Sequence, residues 1–248
     1  MQQGACSRLG QVGLAGVELL IRVMALHGVR ALRPLRTVFC LFCAACVVSA
    51  HAGSQREEPL IDSVRTALSA AVNSSAPPSL VHADDKAAQA FQQWLTQAEA
   101  RLAKQLQRRK ASTTSPDALT HELASAHLRR EFLQTVWYES QRAGLEPALV
   151  LGLIQVESGF RKFAISSAGA RGFMQVMPFW TRVLAQDDAS VLFQAQTNLR
   201  FGCVILRHYL DRERGDLFMG LGRYNGSRGK APYPNAVLGA RRNWEWAG

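Results

Sequence analysis

Glu157 is the acidic residue of this sequence best placed for proton-transfer chemistry. It ends the run Ala148-Leu149-Val150-Leu151-Gly152-Leu153-Ile154-Gln155-Val156-Glu157, which holds no other charged residue. Pro147 precedes the run and suits the first turn of a helix. A helix that is apolar nearly all round belongs inside a core. Two effects then act on the carboxyl at its end. Apolar surroundings disfavour the anion, and the partial negative charge at a helix C-terminus disfavours it further. A carboxylic acid that keeps its proton near neutral pH can protonate a leaving oxygen, and the carboxylate so formed can take a proton back. The alternative reading is a solvated helix-end Glu paired with Arg161. The same dipeptide recurs at Glu139-Ser140, in a mixed polar stretch with Arg142 three residues on, and there it reads as a surface ion pair.

The elements that must position Glu157 are helical. Residues 84–110 carry Phe91, Trp94, Leu95, Ala98, Leu102 and Leu106 at three- and four-residue spacing, the pattern of an amphipathic helix. Its Arg108-Arg109-Lys110 end suits the macrodipole and reads as a helix end, not a nucleic-acid patch. Ser115-Pro116-Asp117 predicts a helix start, and the pattern then runs to Gly144. Gly159 can stop the Glu157 helix. A Ser- and Gly-rich loop follows over 164–172, and Phe173 and Val176 fit a short hairpin. Further helices are expected from Pro178 and over 199–210, 217–224 and 234–246. Upstream, 54–81 reads as a short helix and linker closed by Ser74-Ser75-Ala76-Pro77-Pro78. The expected fold class is mainly α.

The chain after the Glu157 helix reads Glu157-Ser158-Gly159, Ala164-Ile165-Ser166, Gly169-Ala170-Arg171-Gly172-Phe173-Met174-Gln175 and Met177-Pro178, with Arg223-Tyr224-Asn225-Gly226 further on. These elements closely resemble the signature of lytic transglycosylases of the soluble-transglycosylase (SLT) type. In that family a catalytic Glu-Ser is followed by Ala-x-Ser, a Gly-Ala-x-Gly-Leu-Met-Gln run, Met-Pro and a Tyr-Asn motif. Phe173 stands where the family has Leu. The resemblance covers roughly Phe132 to Trp246. It implies a lysozyme-like helical domain with a small β-hairpin at 131–248, after a helical extension and linker at 53–130. It implies Glu157 as the catalytic acid and base, and Ser166, Gln175, Met177, Tyr224 and Asn225 along a glycan cleft. Ser158 and Gly172 would support the shape of the site. The implied reaction cleaves the bond between N-acetylmuramic acid and N-acetylglucosamine in peptidoglycan and leaves a 1,6-anhydromuramyl end. Tyr224 would hydrogen-bond the Glu157 carboxyl or the substrate's acetamido group.

Most glycoside hydrolases use two carboxylates. No acid lies between Glu157 and Asp187, and Asp187-Asp188 reads as a solvated turn. Under the family mechanism the substrate's own acetamido and 6-hydroxyl groups would supply what a second acid does elsewhere. Other readings are a goose-type lysozyme-like hydrolase with water as nucleophile, a non-catalytic peptidoglycan-binding protein and a basic nucleic-acid binder. The formal charge is +10, and residues 158–248 hold 13 basic residues against 6 acidic ones. Such a surface favours an anionic polymer, and a wall polymer bearing carboxylates fits. Scattered arginines and an export signal argue against nucleic acid.

That signal is read from Arg30, Arg33 and Arg36 before the apolar run 38–50 and Ala50-His51-Ala52. It assigns 1–52 as a signal peptide, with Met24 as an alternative start, and an exported, periplasmic or envelope-associated protein. Cys46 offers a lipidation site, and membrane association is expected only through it. Cys203 alone remains after the leader and should pack in the core. No metal or other cofactor is expected, since no Cys/His spacing suits zinc, and the sequence points to no particular protein partner.

Overall fold

The computed structural model describes residue 55 and residues 62–73, 84–112, 123–183 and 188–246. The expected leader with Met24 and Cys46, the loop 74–78 and Ser115-Pro116-Asp117 lie outside the described residues. Seven α-helices are described: α1 (Asp62–Asn73), α2 (Asp85–Ser112), α3 (Ala126–Arg142), α4 (Pro147–Glu157), α5 (Ala195–Arg212), α6 (Leu217–Asn225) and α7 (Pro232–Arg241). Two 3-10 segments, Pro178–Val183 and Ala189–Phe193, join α4 to α5. The mainly α reading holds. Among the described residues no helix is long and apolar enough to cross a membrane.

Local chemistry explains most helix ends. Ser125 caps α3 by accepting the Leu128 N–H. Pro147 opens α4 at its first position. Asp216 caps α6 by accepting from Met219, and Gly226 in the left-handed region ends it. Asp188 is exposed and caps the second 3-10 segment through Ser190, which holds its carboxyl below the usual range. Pro178 starts a 3-10 segment instead of an α-helix, and α7 starts at Pro232, two residues before the expected position.

No strand occurs among the described residues. Where a hairpin was expected, two isolated antiparallel bridges stand, Ile165 with Arg171 and Arg171 with Val176. The reason is length. Tight turns at 166–169 and 172–175 occupy most of this short segment and leave one bridge beside each.

α4 is the buried axis, with Val150, Leu151, Leu153 and Ile154 fully enclosed. α3, α5 and α7 surround the core, and α7 runs close along α4. Gly152 makes that approach possible: a Cβ there would stand 2.6 Å from the Arg241 nitrogen and 2.8 Å from its Cα. Arg241 also pairs with Glu146 at the start of α4, at 2.5 Å. The tail after α7 folds back, and Trp244 donates to the Gln155 side chain at 2.9 Å.

The upstream helices pack on this core. Phe91, Trp94 and Leu102 of α2 and Leu68 of α1 are buried in one cluster with α3–α7 side chains. Arg129 of α3 pairs with Glu99 of α2 at 2.7 Å. Arg109 donates to the Gly159 carbonyl at 2.6 Å, so that member of the basic triplet serves the turn after Glu157.

Glu139 is not on the surface: it is 1% exposed and held by Arg200, itself 3% exposed. The Arg200 guanidinium reaches it at 2.8–3.0 Å, while Arg142 lies at 3.6 Å. α5 is remote in sequence and supplies the stronger partner. Cys203 is free and buried, as its apolar pattern suggested, and burial raises its thiol pKa well above the ordinary value.

Candidate active site

The helix that carries Glu157 ends abruptly. Ser158 and Gly159 both donate their N–H to the Ile154 carbonyl, and Gly159 and Phe160 take φ of 57° and 66°. The chain therefore leaves the helix axis immediately after the carboxylate. Ser158 then anchors the turn, its hydroxyl donating to the Phe173 carbonyl at 2.7 Å. Arg161 turns back to the Ser158 carbonyl at 2.9 Å.

Glu157 is 6% exposed. Its Oε1 accepts a hydrogen bond from the Tyr233 hydroxyl at 2.5 Å, and its Oε2 is buried without a hydrogen-bond partner. Burial pushes its pKa from 4.5 up to about 8, against the opposing pull of the Tyr233 bond. The carboxyl thus holds its proton through neutral pH. Tyr233 was missed in the sequence. Its one signal was the triplet Pro232-Tyr233-Pro234, two prolines that pin a tyrosine into the first turn of α7.

Tyr224 does not make the expected bond to Glu157. It is fully buried, and its hydroxyl donates to the Met174 carbonyl at 2.7 Å. Enclosure raises its pKa well above 10. Asn225, beside it at the end of α6, is also buried. Gln175 is 2% exposed, and its amide donates to the Ala164 and Gly172 carbonyls at 3.1 and 3.0 Å. These bonds hold its own backbone at φ 50°, a region costly for a non-glycine residue.

Ser166 and Met177 are the half-buried members of the expected set. The Ser166 hydroxyl accepts the Ala170 N–H at 3.1 Å and pins the first turn. Gly172 has φ 78° and no room for a side chain, since a Cβ would overlap the Asn198 amide and the Leu192 carbonyl. Asn198 is the hidden organiser of this loop. It accepts from Met174 N–H at 2.8 Å and donates to the Arg171 and Leu192 carbonyls at 2.9 and 2.8 Å. Among the described residues no group of three or more His, Cys, Asp or Glu side chains could hold a metal ion.

Residues 134–245 match the family model described as the transglycosylase SLT domain. Over 49 residues, 20% of this chain, it is 47% identical to a membrane-bound lytic murein transglycosylase C of Actinobacillus pleuropneumoniae, of which the match covers 13%. Over 115 residues, 44% of this chain, it is 33% identical to a transglycosylase of Enterobacteria phage PRD1, of which the match covers 42%. The chain thus spans less than half the length of either relative. A solved structure of the lytic transglycosylase Slt from Pseudomonas aeruginosa aligns with 77% of this chain and 36% of its own, at 17% identity and a TM-score of 0.39.

Proposed function

We infer, for a chain whose residues 134–245 match the transglycosylase SLT domain, that it is a peptidoglycan lytic transglycosylase with Glu157 as single general acid and base. The observation that carries this reading is the Glu157 carboxyl itself: buried, with a pKa raised to about 8, one oxygen on the Tyr233 hydroxyl and the other without a partner.

In the proposed reaction Glu157 donates its proton to the glycosidic oxygen as the bond from C1 of the muramic residue breaks. The substrate's acetamido carbonyl stabilises the positive C1. The carboxylate then takes the proton from the 6-hydroxyl, whose oxygen closes on C1. Glu157 ends protonated, water is not consumed, and the product is a 1,6-anhydromuramyl end. Tyr233 favours the proton donation, because its donated bond stabilises Glu157 once the carboxyl is ionised. Glu139 is the other deeply buried acid among the described residues, and it is paired with Arg200.

Ser166 and Met177 would face the glycan, while Gln175, Tyr224 and Asn225 fix the wall behind it. Phe163, half exposed next to this loop, has Lys162 over its ring at 5.0 Å and Phe193 beside it at 5.6 Å. Aromatic faces with nearby cations suit sugar rings that carry peptide carboxylates. Export after Ala52 would deliver the enzyme to the cell envelope, where this polymer lies.

Mass analysis of muropeptides released by the protein tests the reading. Anhydro ends, lighter by one water than reducing ends, are expected. Reducing ends alone would mean hydrolysis and overturn the lyase assignment. Loss of all release in Glu157→Gln is expected, and unchanged release would overturn the role of Glu157.

A further inference from the structure

Gln55 lies far upstream of the motif residues, yet its side chain is buried among them, 5% exposed. Its amide oxygen accepts from the Trp180 indole N–H at 2.9 Å and from the Met177 N–H at 3.3 Å. Its amide nitrogen donates to the Gln175 carbonyl at 3.4 Å. An amide side chain can accept and donate at once, and both capacities are used on one loop and its backing. Val176 pairs with Arg171 across a single bridge, which leaves the Gln175 carbonyl and the Met177 N–H to other partners. One glutamine side chain supplies them.

We propose that Gln55 is a positioning residue of the glycan site: its side chain fixes the backbone of Gln175 and Met177, and through it the wall that meets the substrate. The proposal rests on the peptidoglycan reading above. Gln175 holds a left-handed backbone that only surrounding bonds can maintain. Two of those bonds come from its own amide to the Ala164 and Gly172 carbonyls, and Gln55 takes the carbonyl on its other side. Arg109 of α2 meets the turn after Glu157 at Gly159. Upstream residues therefore hold both the turn that carries the acid and the loop expected to face the sugar.

The test measures binding of isolated glycan strands by the full chain carrying Glu157→Gln, alone and combined with Gln55→Ala or Gln55→Glu. The Glu variant keeps the two accepted bonds and loses the donated one. A dissociation constant raised about tenfold is expected for Gln55→Ala, and about threefold for Gln55→Glu, with one strand site per molecule retained. Equal dissociation constants in all three overturn the proposal. So does a reduced number of binding sites at unchanged affinity, which is what a merely structural role produces. If Gln55→Ala does not fold, the Gln55→Glu comparison decides alone. The products of the unmodified chain are read separately, so reducing ends would sink the lyase reading and leave this comparison standing.

Discussion

Replacing Glu157 by glutamine should make the protein more stable as it abolishes cleavage. In the folded chain burial holds the carboxyl pKa at about 8, against 4.5 when exposed. Between those two values the folded state keeps a proton that the unfolded state releases. Stability must therefore fall as pH rises through this window, by about 1.4 kcal/mol per pH unit. The cost is absent below the unfolded value, reaches about 3 kcal/mol at pH 7 and levels off above the folded one. A glutamine has nearly the same shape and no proton to lose, and its carbonyl can accept the Tyr233 hydroxyl. Urea denaturation of both proteins from about pH 4 to about pH 9 measures the difference directly. Glu157→Gln should match the parent at the acid end and exceed it by about 3 kcal/mol at neutrality. A difference that stays constant with pH would refute the reasoning, because the carboxyl would then titrate alike in the folded and unfolded chains.

Tyr233→Phe removes the bond that favours the ionised carboxyl. The alkaline limb of the pH–rate profile should move to higher pH and the rate should drop about tenfold, read by muropeptide release. Arg200→Met strands a buried Glu139 and should cost about 3–5 kcal/mol in chemical denaturation, much of it recovered when Glu139→Met is added. Gly172→Ala forces a Cβ into the Asn198 amide at φ 78°. A loss of at least about 2 kcal/mol, seen as a lower melting temperature, is expected together with lost cleavage.

The chemistry-bearing helix was legible in the sequence because its information is local. Pro147 marks the start of α4, its apolar circumference marks burial, and Gly159 marks its end. The order of motif elements likewise identified the Ser166–Gln175 loop. What failed was pairing across distance. Glu139 offered a neighbour at Arg142, and the helical i,i+3 rule took it, whereas the stronger partner comes from α5. Tyr224 sits in the recognised motif and is expected at the Glu157 carboxyl or the substrate's acetamido group, whereas its hydroxyl donates to Met174 and Tyr233 holds the carboxyl. Gln55 carried no signal at all, since a lone polar residue in a linker is ordinarily solvated. Short-range pattern shows which residues enter the core, but not which buried polar groups meet there.

The close contact at Gly152 has a consequence for how acidity could drift. α4 and α7 run in opposite directions, touching at Glu146–Arg241 at one end and Glu157–Tyr233 at the other, with Gly152 between. The two helices work like facing scales on a slide rule. A methyl group at 152 would push the scales apart, and the reading that changes is the spacing between acid and phenol five residues away. Such a substitution would register as a displaced pH optimum.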